Sequence, residues 1–92
     1  MDDLPSLASL LIAARGSFTI QETARRTGLS RRAFYFYEVG GKLPKLETLD
    51  LLVGALMPDK ELSRRIYAAH KREAVAANQA RAAKRRGVSH AV

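Results

Sequence analysis

The sequence predicts an all-α domain of five helices joined by short connections. Three observations support this fold class. Apolar side chains recur at helical spacing, glycines and prolines fall where helices would begin or end, and no segment alternates apolar and polar residues as a strand does. A chain of 92 residues forms one core, and a hydrophobic fraction of 47% is ordinary for a folded domain.

The first two helices are marked by their end residues. We expect the first between Pro5 and Gly16, because proline suits a first turn and glycine stops a helix. Thr19 is expected to begin the second helix, since Glu22 three residues later completes a capping box. This helix should end at Gly28, because glycine adopts the left-handed conformation at least cost.

The third and fourth helices have similar markers. Ser30 is expected to cap a third helix that runs to about Val39, before two glycines. The fourth helix follows Pro44, since proline disfavours helix immediately before it. Its apolar face is formed by Leu46, Leu49, Leu52, Val53 and Leu56.

A fifth helix begins after Pro58, and its alanine-rich sequence is expected to stay helical to about Arg86. The chain therefore divides into three segments. They are a helical domain over residues 1–58, a basic C-terminal helix over residues 59–86 and a flexible tail over residues 87–92.

Charge is distributed unevenly along the chain. Residues 59–92 contain nine Lys and Arg against three Asp and Glu, whereas residues 1–58 contain seven against six. The net charge of +7 thus lies mostly in the C-terminal third. An excess of this kind favours a polyanionic partner, of which nucleic acid is the common one. A solvated basic helix without a partner is the alternative.

The second and third helices are expected to pack closely around a glycine turn. Ala24 is small enough to let the helices touch, Gly28 allows the reversal, and Leu29 fills the core beneath the turn. On the third helix, Phe34 and Tyr37 would face inward. The residues left facing outward are Arg31, Arg32, Tyr35 and Phe36.

An ordered set of residues between about Leu11 and Leu56 carries a family resemblance. It consists of Thr19, Glu22, Ala24, the run Gly28-Leu29-Ser30-Arg31, Glu38, Gly40, Pro44, the run Leu46-Glu47-Thr48-Leu49, Ala55 and Leu56. In this order and register, the set resembles the Xre family of phage-repressor-like helix-turn-helix regulators. The resemblance covers about half of the chain. It implies a transcriptional regulator, such as the compact repressors of mobile elements, that binds a palindromic operator as a homodimer.

The resemblance also implies roles for individual residues. The third helix would enter the major groove of double-stranded DNA. Base contacts are expected from Arg31, Arg32, Tyr35 and Phe36, with arginine suited to guanine and Phe36 to a thymine methyl group. Phosphate contacts are expected from Thr19, Ser30, Lys42 and Lys45. Candidate dimer contacts are Leu51, Leu62, Ile66 and Tyr67.

Three positions depart from the family pattern. Ile20 stands where the family usually has a phosphate-binding glutamine, and Val39 where it often has a basic residue. In many relatives Glu38 meets an arginine of the first helix, but here no basic residue precedes Arg15. Either Arg15 reaches Glu38, or Glu38 stays partly solvated. Because a buried, unpaired carboxylate is costly, we favour exposure or a different partner.

The fifth helix contains a heptad seam that is mostly alanine. Its members are Leu62, Ile66, Ala69, Glu73, Ala76, Ala80 and Ala83. Its first turns should pack on the core, and the remainder is left with three possibilities: a solvated arm, pairing with a partner's helix, or a contact with DNA. Accessory DNA contacts would come from Arg81, Lys84, Arg85 and Arg86.

A second function class is left open by the aromatic residues of the third helix. Exposed Tyr35 and Phe36 would also suit a protein-binding module, of the anti-activator or antitoxin type, in which Arg31 and Arg32 are merely solvated. An enzyme is not expected, since no nucleophile with a base, paired carboxylates or phosphate loop stands out. We expect no cofactor and no metal, because cysteine is absent and His70 and His90 are isolated.

A cytoplasmic location without membrane association is expected. The longest apolar run, Leu10 to Ala14, is far too short to span a bilayer. The first residues contain two aspartates and lack the pattern of a secretory signal.

Overall fold

A computed structural model describes residues 4–90 of the chain, with side chains described as far as Lys84. Five helices and no strand lie within that range, so the all-α fold class is confirmed. The helices are α1 (Leu7–Arg15), α2 (Ile20–Thr27), α3 (Arg31–Glu38), α4 (Leu46–Leu56) and α5 (Lys60–His90).

The ends of α1 to α4 lie within about two residues of the positions expected from the sequence. The last helix differs, because α5 continues to His90 instead of ending near Arg86. Residues 87–90, which the sequence assigned to a flexible tail, are therefore helical. Residues 91–92 of that tail lie outside the described residues.

The core lies between α1, α3, α4 and α5. Its buried members are Leu7, Leu10, Leu11, Phe34, Tyr37, Leu49, Leu52, Leu56, Ile66 and Ala69. Phe34 is completely buried and Tyr37 nearly so, which confirms that these two aromatic side chains face inward. Ala24 is also buried, as expected for a small residue at a close helix contact.

The connection between α2 and α3 is short because both helix ends satisfy their own backbone. The Gly28 backbone is left-handed, with φ 78° and ψ 4°, and its N–H donates to the carbonyl of Ala24. Two residues later, the Ser30 hydroxyl accepts a hydrogen bond from the Ala33 N–H at 3.0 Å and caps α3. The turn therefore fixes where the first residues of α3 lie.

The start of α2 is held by the capping box that the sequence predicts. Thr19 Oγ1 accepts the Glu22 N–H at 3.0 Å, and Glu22 Oε1 accepts the Thr19 N–H at 2.8 Å. These bonds satisfy two backbone donors that a helix start otherwise leaves without partners.

Replacing Thr19 with alanine is expected to lower the free energy of unfolding by about 1 kcal/mol, the usual value of a lost N-cap. Urea unfolding followed by circular dichroism measures this change. Thr19→Ser keeps the hydroxyl and should retain most of the stability. An equal loss in the serine and alanine variants would contradict a capping role for the hydroxyl.

The first half of α5 belongs to the same core as the other helices. Ile66 and Ala69 are fully buried. One turn further, Glu73 Oε2 accepts the Leu7 N–H at 2.7 Å and so caps the start of α1. His70 Nε2 lies 2.8 Å from the Pro44 carbonyl oxygen, and because a carbonyl can only accept, this nitrogen carries the proton.

Beyond Ala77 the described side chains of α5 are almost all exposed. A helix of 31 residues is about 46 Å long at 1.5 Å per residue, which accounts for the longest dimension of 51 Å. Within the described part of the chain, no helix combines the length and apolar character needed to cross a membrane.

Candidate nucleic-acid interface

The two faces of α3 differ completely in burial. Arg31, Arg32, Tyr35 and Phe36 are exposed, whereas Phe34, Tyr37 and Glu38 are buried. A helical period of 3.6 residues places the first four side chains on one side. The structure thus brings all four sequence-predicted base-contacting residues together on a single surface, the α3 outer face.

The aromatic residues of the α3 outer face contact each other. Tyr35 is 53% exposed and Phe36 is 38% exposed, so neither belongs to the core. Their rings meet edge to face with centroids 5.8 Å apart. The Arg32 guanidinium lies over the Phe36 ring, with its central carbon 5.8 Å from the ring centroid.

The C-terminal end of α3 is tied to α1 by an ion pair. Arg15 donates from Nε to Glu38 Oε2 at 2.6 Å and from Nη2 to Glu38 Oε1 at 3.1 Å. The third donor, Nη1, bonds to the Phe18 carbonyl oxygen at 2.8 Å. Glu38 is 8% exposed, so the carboxylate is buried and paired. Of the two alternatives that the sequence left open, the pairing of Arg15 with Glu38 is confirmed, and the favoured one, an exposed Glu38 or a different partner, is wrong.

The position of Arg15 in α1 explains how its side chain reaches Glu38. Arg15 is the last residue of α1, and the chain turns at Gly16, so its long side chain extends beyond the helix end towards α3. The hydrogen bonds to Glu38 raise the pKa of the Arg15 guanidinium above its usual value, against the opposing effect of its partial burial. The pair fixes the position of α3 relative to α1 and to the segment before α2.

Two candidate phosphate contacts lie at helix starts, where they already serve as caps. The hydroxyls of Thr19 and Ser30 accept backbone N–H bonds, and the Ser30 hydroxyl keeps its own proton to donate. The Glu22 carboxylate lies 2.8 Å from the Thr19 nitrogen, and its hydrogen bonds from Thr19 lower its pKa, so it is charged. Negative charge there disfavours phosphate, which makes Ser30 the better placed of the two.

The loop between α3 and α4 presents two exposed lysines. Lys42 and Lys45 lie on either side of Pro44, which is buried. The Pro44 carbonyl oxygen accepts the hydrogen bond from His70 of α5. The loop is thereby attached to α5 while both ammonium groups remain at the surface.

The far end of α5 carries exposed basic residues. Arg81 and Lys84, two of the four candidate accessory contacts, are exposed. Arg85 and Arg86 lie within α5, but their side chains are outside the described part of the chain. The alanines of the heptad seam beyond Glu73 are exposed, whereas Ile66 and Ala69 are buried, so the seam changes from core to surface at Glu73.

The candidate dimer surface needs one correction. Ile66 has no exposed surface, because its side chain is enclosed by the core of its own chain, and it is not a dimer contact. Leu62 and Tyr67 are half-buried, and Leu51 is 53% exposed. The Tyr67 hydroxyl donates to Asp50 Oδ1, and this hydrogen bond raises the pKa of Tyr67.

The two positions where the residue type departs from the family pattern, Ile20 and Val39, differ in burial. Ile20 is half-buried and packs against the core, so it stabilises the start of α2 instead of contacting a ligand. Val39 is 55% exposed, close to Phe36. It adds apolar surface to the end of the α3 outer face where the family often has positive charge.

Several supporting residues were missed in the sequence. Thr23 and Thr27 are buried, and their hydroxyls donate to the carbonyls of Thr19 and Thr23 at 2.9 Å. Their spacing of four residues was the available signal. Arg26 lies over the Phe18 ring at 4.4 Å and braces α2 against the segment that precedes it.

Among the residues that the structure describes, no three His, Asp or Glu side chains are grouped so that they could hold a metal ion. Comparison of the chain with protein-family models, with curated proteins and with solved structures finds no match. The resemblance to the Xre family therefore stays a prediction from the residues that carry it.

Proposed function

We propose that this chain is a sequence-specific DNA-binding transcriptional regulator that inserts α3 into the major groove. The observation that carries the proposal is the α3 outer face, where Arg31, Arg32, Tyr35 and Phe36 are all exposed. The opposite side of the same helix is anchored by Phe34 and by the Arg15–Glu38 ion pair. A rigid helix that presents long polar and aromatic side chains to solvent is suited to reading base edges.

The dimensions and chemistry of α3 fit this role. An α-helix with side chains is about 10–12 Å across, and the major groove is about 12 Å wide. Arg31 and Arg32 lie in the first turn, the part of a recognition helix that contacts bases. Each can present a planar fork of donors to guanine, and Phe36, one turn later, provides an apolar surface.

Phosphate contacts would come from residues around the α3 outer face. Lys42 and Lys45 are exposed in the loop that follows it, and the Ser30 hydroxyl lies at its start. Arg81 and Lys84 of α5 provide further positive charge on an exposed helix. Ile20 packs inward and cannot contact phosphate. These residues would therefore replace the phosphate contact that a polar side chain at that position provides in the family that the chain resembles.

A symmetric dimer on a palindromic site completes the proposal. Leu51 and Met57 expose 53% and 77% of their surfaces at α4 and its end, where an interface would cover them. Tyr67 borders the same helix through its bond to Asp50. Half-sites would be about one helical turn of DNA apart.

Binding measured at several salt concentrations tests this function. Duplexes are first selected from a random library with the full chain, and the dissociation constant is then determined for the selected site and for random DNA. We expect Arg32→Ala to weaken binding to the selected site about 5- to 150-fold, with little effect on random DNA, because it removes a base contact.

Lys42→Ala is the matched comparison in the same assay. It should weaken binding to selected and random DNA about equally, because it removes a phosphate contact. The slope of the logarithm of the binding constant against the logarithm of the salt concentration should become smaller in magnitude by about one. The double variant Arg81→Ala/Lys84→Ala measures in the same way how much the basic residues of α5 contribute to DNA affinity. If no duplex is preferred over random DNA at physiological salt, the regulator proposal fails.

A second candidate function is a module that binds another protein. It is favoured by the apolar surface of Tyr35, Phe36 and Val39, three neighbouring side chains that are 53%, 38% and 55% exposed. Such surface is typical of a protein contact. Under this alternative the chain binds DNA only weakly and without a preferred sequence. Arg32→Ala and Lys42→Ala should then lower the affinity for DNA by the same small factor.

A further inference from the structure

Arg32 and Phe36 form one composite surface on the α3 outer face. They are four residues apart and therefore lie on the same side of the helix. The central carbon of the Arg32 guanidinium is 5.8 Å from the centroid of the Phe36 ring, and both side chains are exposed. A planar fork of hydrogen-bond donors is thus held beside an apolar ring.

The Phe36 ring has two neighbours besides Arg32, which are Tyr35 and the chain at Gly41. The Tyr35 ring meets it edge to face at 5.8 Å. The chain passes near the ring at Gly41, where an added Cβ would lie at van der Waals distance, 3.4 Å, from Phe36 Cδ1. The Gly41 N–H also donates to the Phe36 carbonyl at 2.9 Å. Phe36 contacts Tyr35 and still exposes 38% of its surface, which is available to a ligand.

The base edges exposed in the major groove match the Arg32 donor fork and the Phe36 ring. Guanine presents O6 and N7 to an arginine fork, and thymine alone among the four bases presents a methyl group. Neighbouring bases on a strand are about 3.4 Å apart along the helix axis, so side-chain groups 5.8 Å apart can contact adjacent bases. The donor fork suits a guanine, and the apolar ring suits a methyl group next to it.

We propose that Arg32 and Phe36 jointly read a two-base step in which a 5-methylated pyrimidine adjoins a guanine. The proposal rests on the DNA-binding function proposed above and names the step that this site prefers. Thymine fulfils the requirement. Cytosine does so once it is methylated at C5, because the added methyl group occupies the same place in the groove.

This preference makes binding responsive to DNA methylation. An unmethylated cytosine leaves the Phe36 ring without a methyl contact. Methylation restores the apolar contact without changing the base pairing. A site with 5-methylcytosine in this step is therefore bound more tightly than the same site with cytosine.

The test begins with the duplex selected from the random library by the full chain. Each thymine of the selected site is replaced in turn by uracil, which removes only the methyl group. At the thymine beside the contacted guanine, we expect affinity to fall about four-fold, the effect of one buried methyl group. Cytosine and 5-methylcytosine at this position should differ by about the same factor, with the methylated duplex bound more tightly.

Protein variants assign the effect to Phe36. In Phe36→Ala, the thymine and uracil duplexes should bind equally well. Lys42→Ala is the control, since it removes an exposed phosphate-contacting side chain and should weaken binding of the thymine and uracil duplexes equally, which keeps the methyl preference. Arg32→Ala should lose discrimination at the adjacent guanine, by about 5- to 150-fold. Circular dichroism of each variant verifies folding, and the uracil scan uses the unaltered chain and requires no variant.

The outcomes separate this inference from the function on which it rests. If the library yields no preferred duplex, both fail together. If a duplex is selected but contains no such step, or uracil has no effect beside any guanine, the two-base readout is excluded and the DNA-binding function stands. The same conclusion follows if the methyl preference survives in Phe36→Ala.

Discussion

Replacing Arg15 with methionine is expected to lower the free energy of unfolding by about 3 kcal/mol. The variant leaves the Glu38 carboxylate buried without the two hydrogen bonds that it receives from Arg15. Removing one partner of a buried ion pair costs far more than the pair contributes, because the remaining charge stays desolvated. The loss is measured by urea unfolding followed by circular dichroism.

Two further variants show whether the buried charge is the cause. Glu38→Gln in the Arg15→Met background removes the charge and should recover part of the loss. The recovery is incomplete because the Arg15 bond to the Phe18 carbonyl stays broken. Glu61, exposed and paired with Arg64, is the surface control, and Glu61→Gln should not change stability measurably. If Arg15→Met were as mild as Glu61→Gln, the buried pair would not stabilise the domain.

The features that could be predicted from the sequence are local ones. A cap is decided by residues three positions apart, such as Thr19 and Glu22, and a helix end by a single residue such as Gly28. The two faces of α3 follow from helical spacing alone, which is why Phe34 could be assigned to the core. These signals require no knowledge of how the helices pack.

The long-range contacts could not be predicted in this way. Arg15 and Glu38 are 23 residues apart, and Glu73 caps a helix that begins 66 residues earlier. The family resemblance raised Arg15 as a possible partner of Glu38, but nothing in the spacing of residues decides whether the end of α1 points towards the end of α3. The burial of Ile66 is a related case. Its position on an amphipathic face suited either the core or a partner, and only the packing of α5 against α1 decided between them.

Phe34 and Tyr35 are adjacent aromatic residues with opposite surroundings, so they provide the sharpest test of the orientation of α3. Phe34→Ala is expected to lower the free energy of unfolding by about 3–5 kcal/mol, because it leaves a cavity where a completely buried ring packs. Tyr35→Ala should change it by less than about 0.5 kcal/mol, since the ring is 53% exposed and contacts mainly Phe36. Thermal and urea unfolding of both variants measure these differences.

The same two variants connect stability with function. A domain of this size has a total stability of roughly 5–14 kcal/mol, so Phe34→Ala removes a large share of it and Phe34→Leu provides a milder step in the same direction. Among the variants that remain folded, the one that loses more stability should keep more of its affinity for DNA. Phe34→Leu leaves the α3 outer face intact and keeps binding, whereas Tyr35→Ala removes a side chain from that face and weakens binding. Loss of stability in Tyr35→Ala, with binding unchanged, would mean that α3 is rotated and that its outer face is not the binding surface.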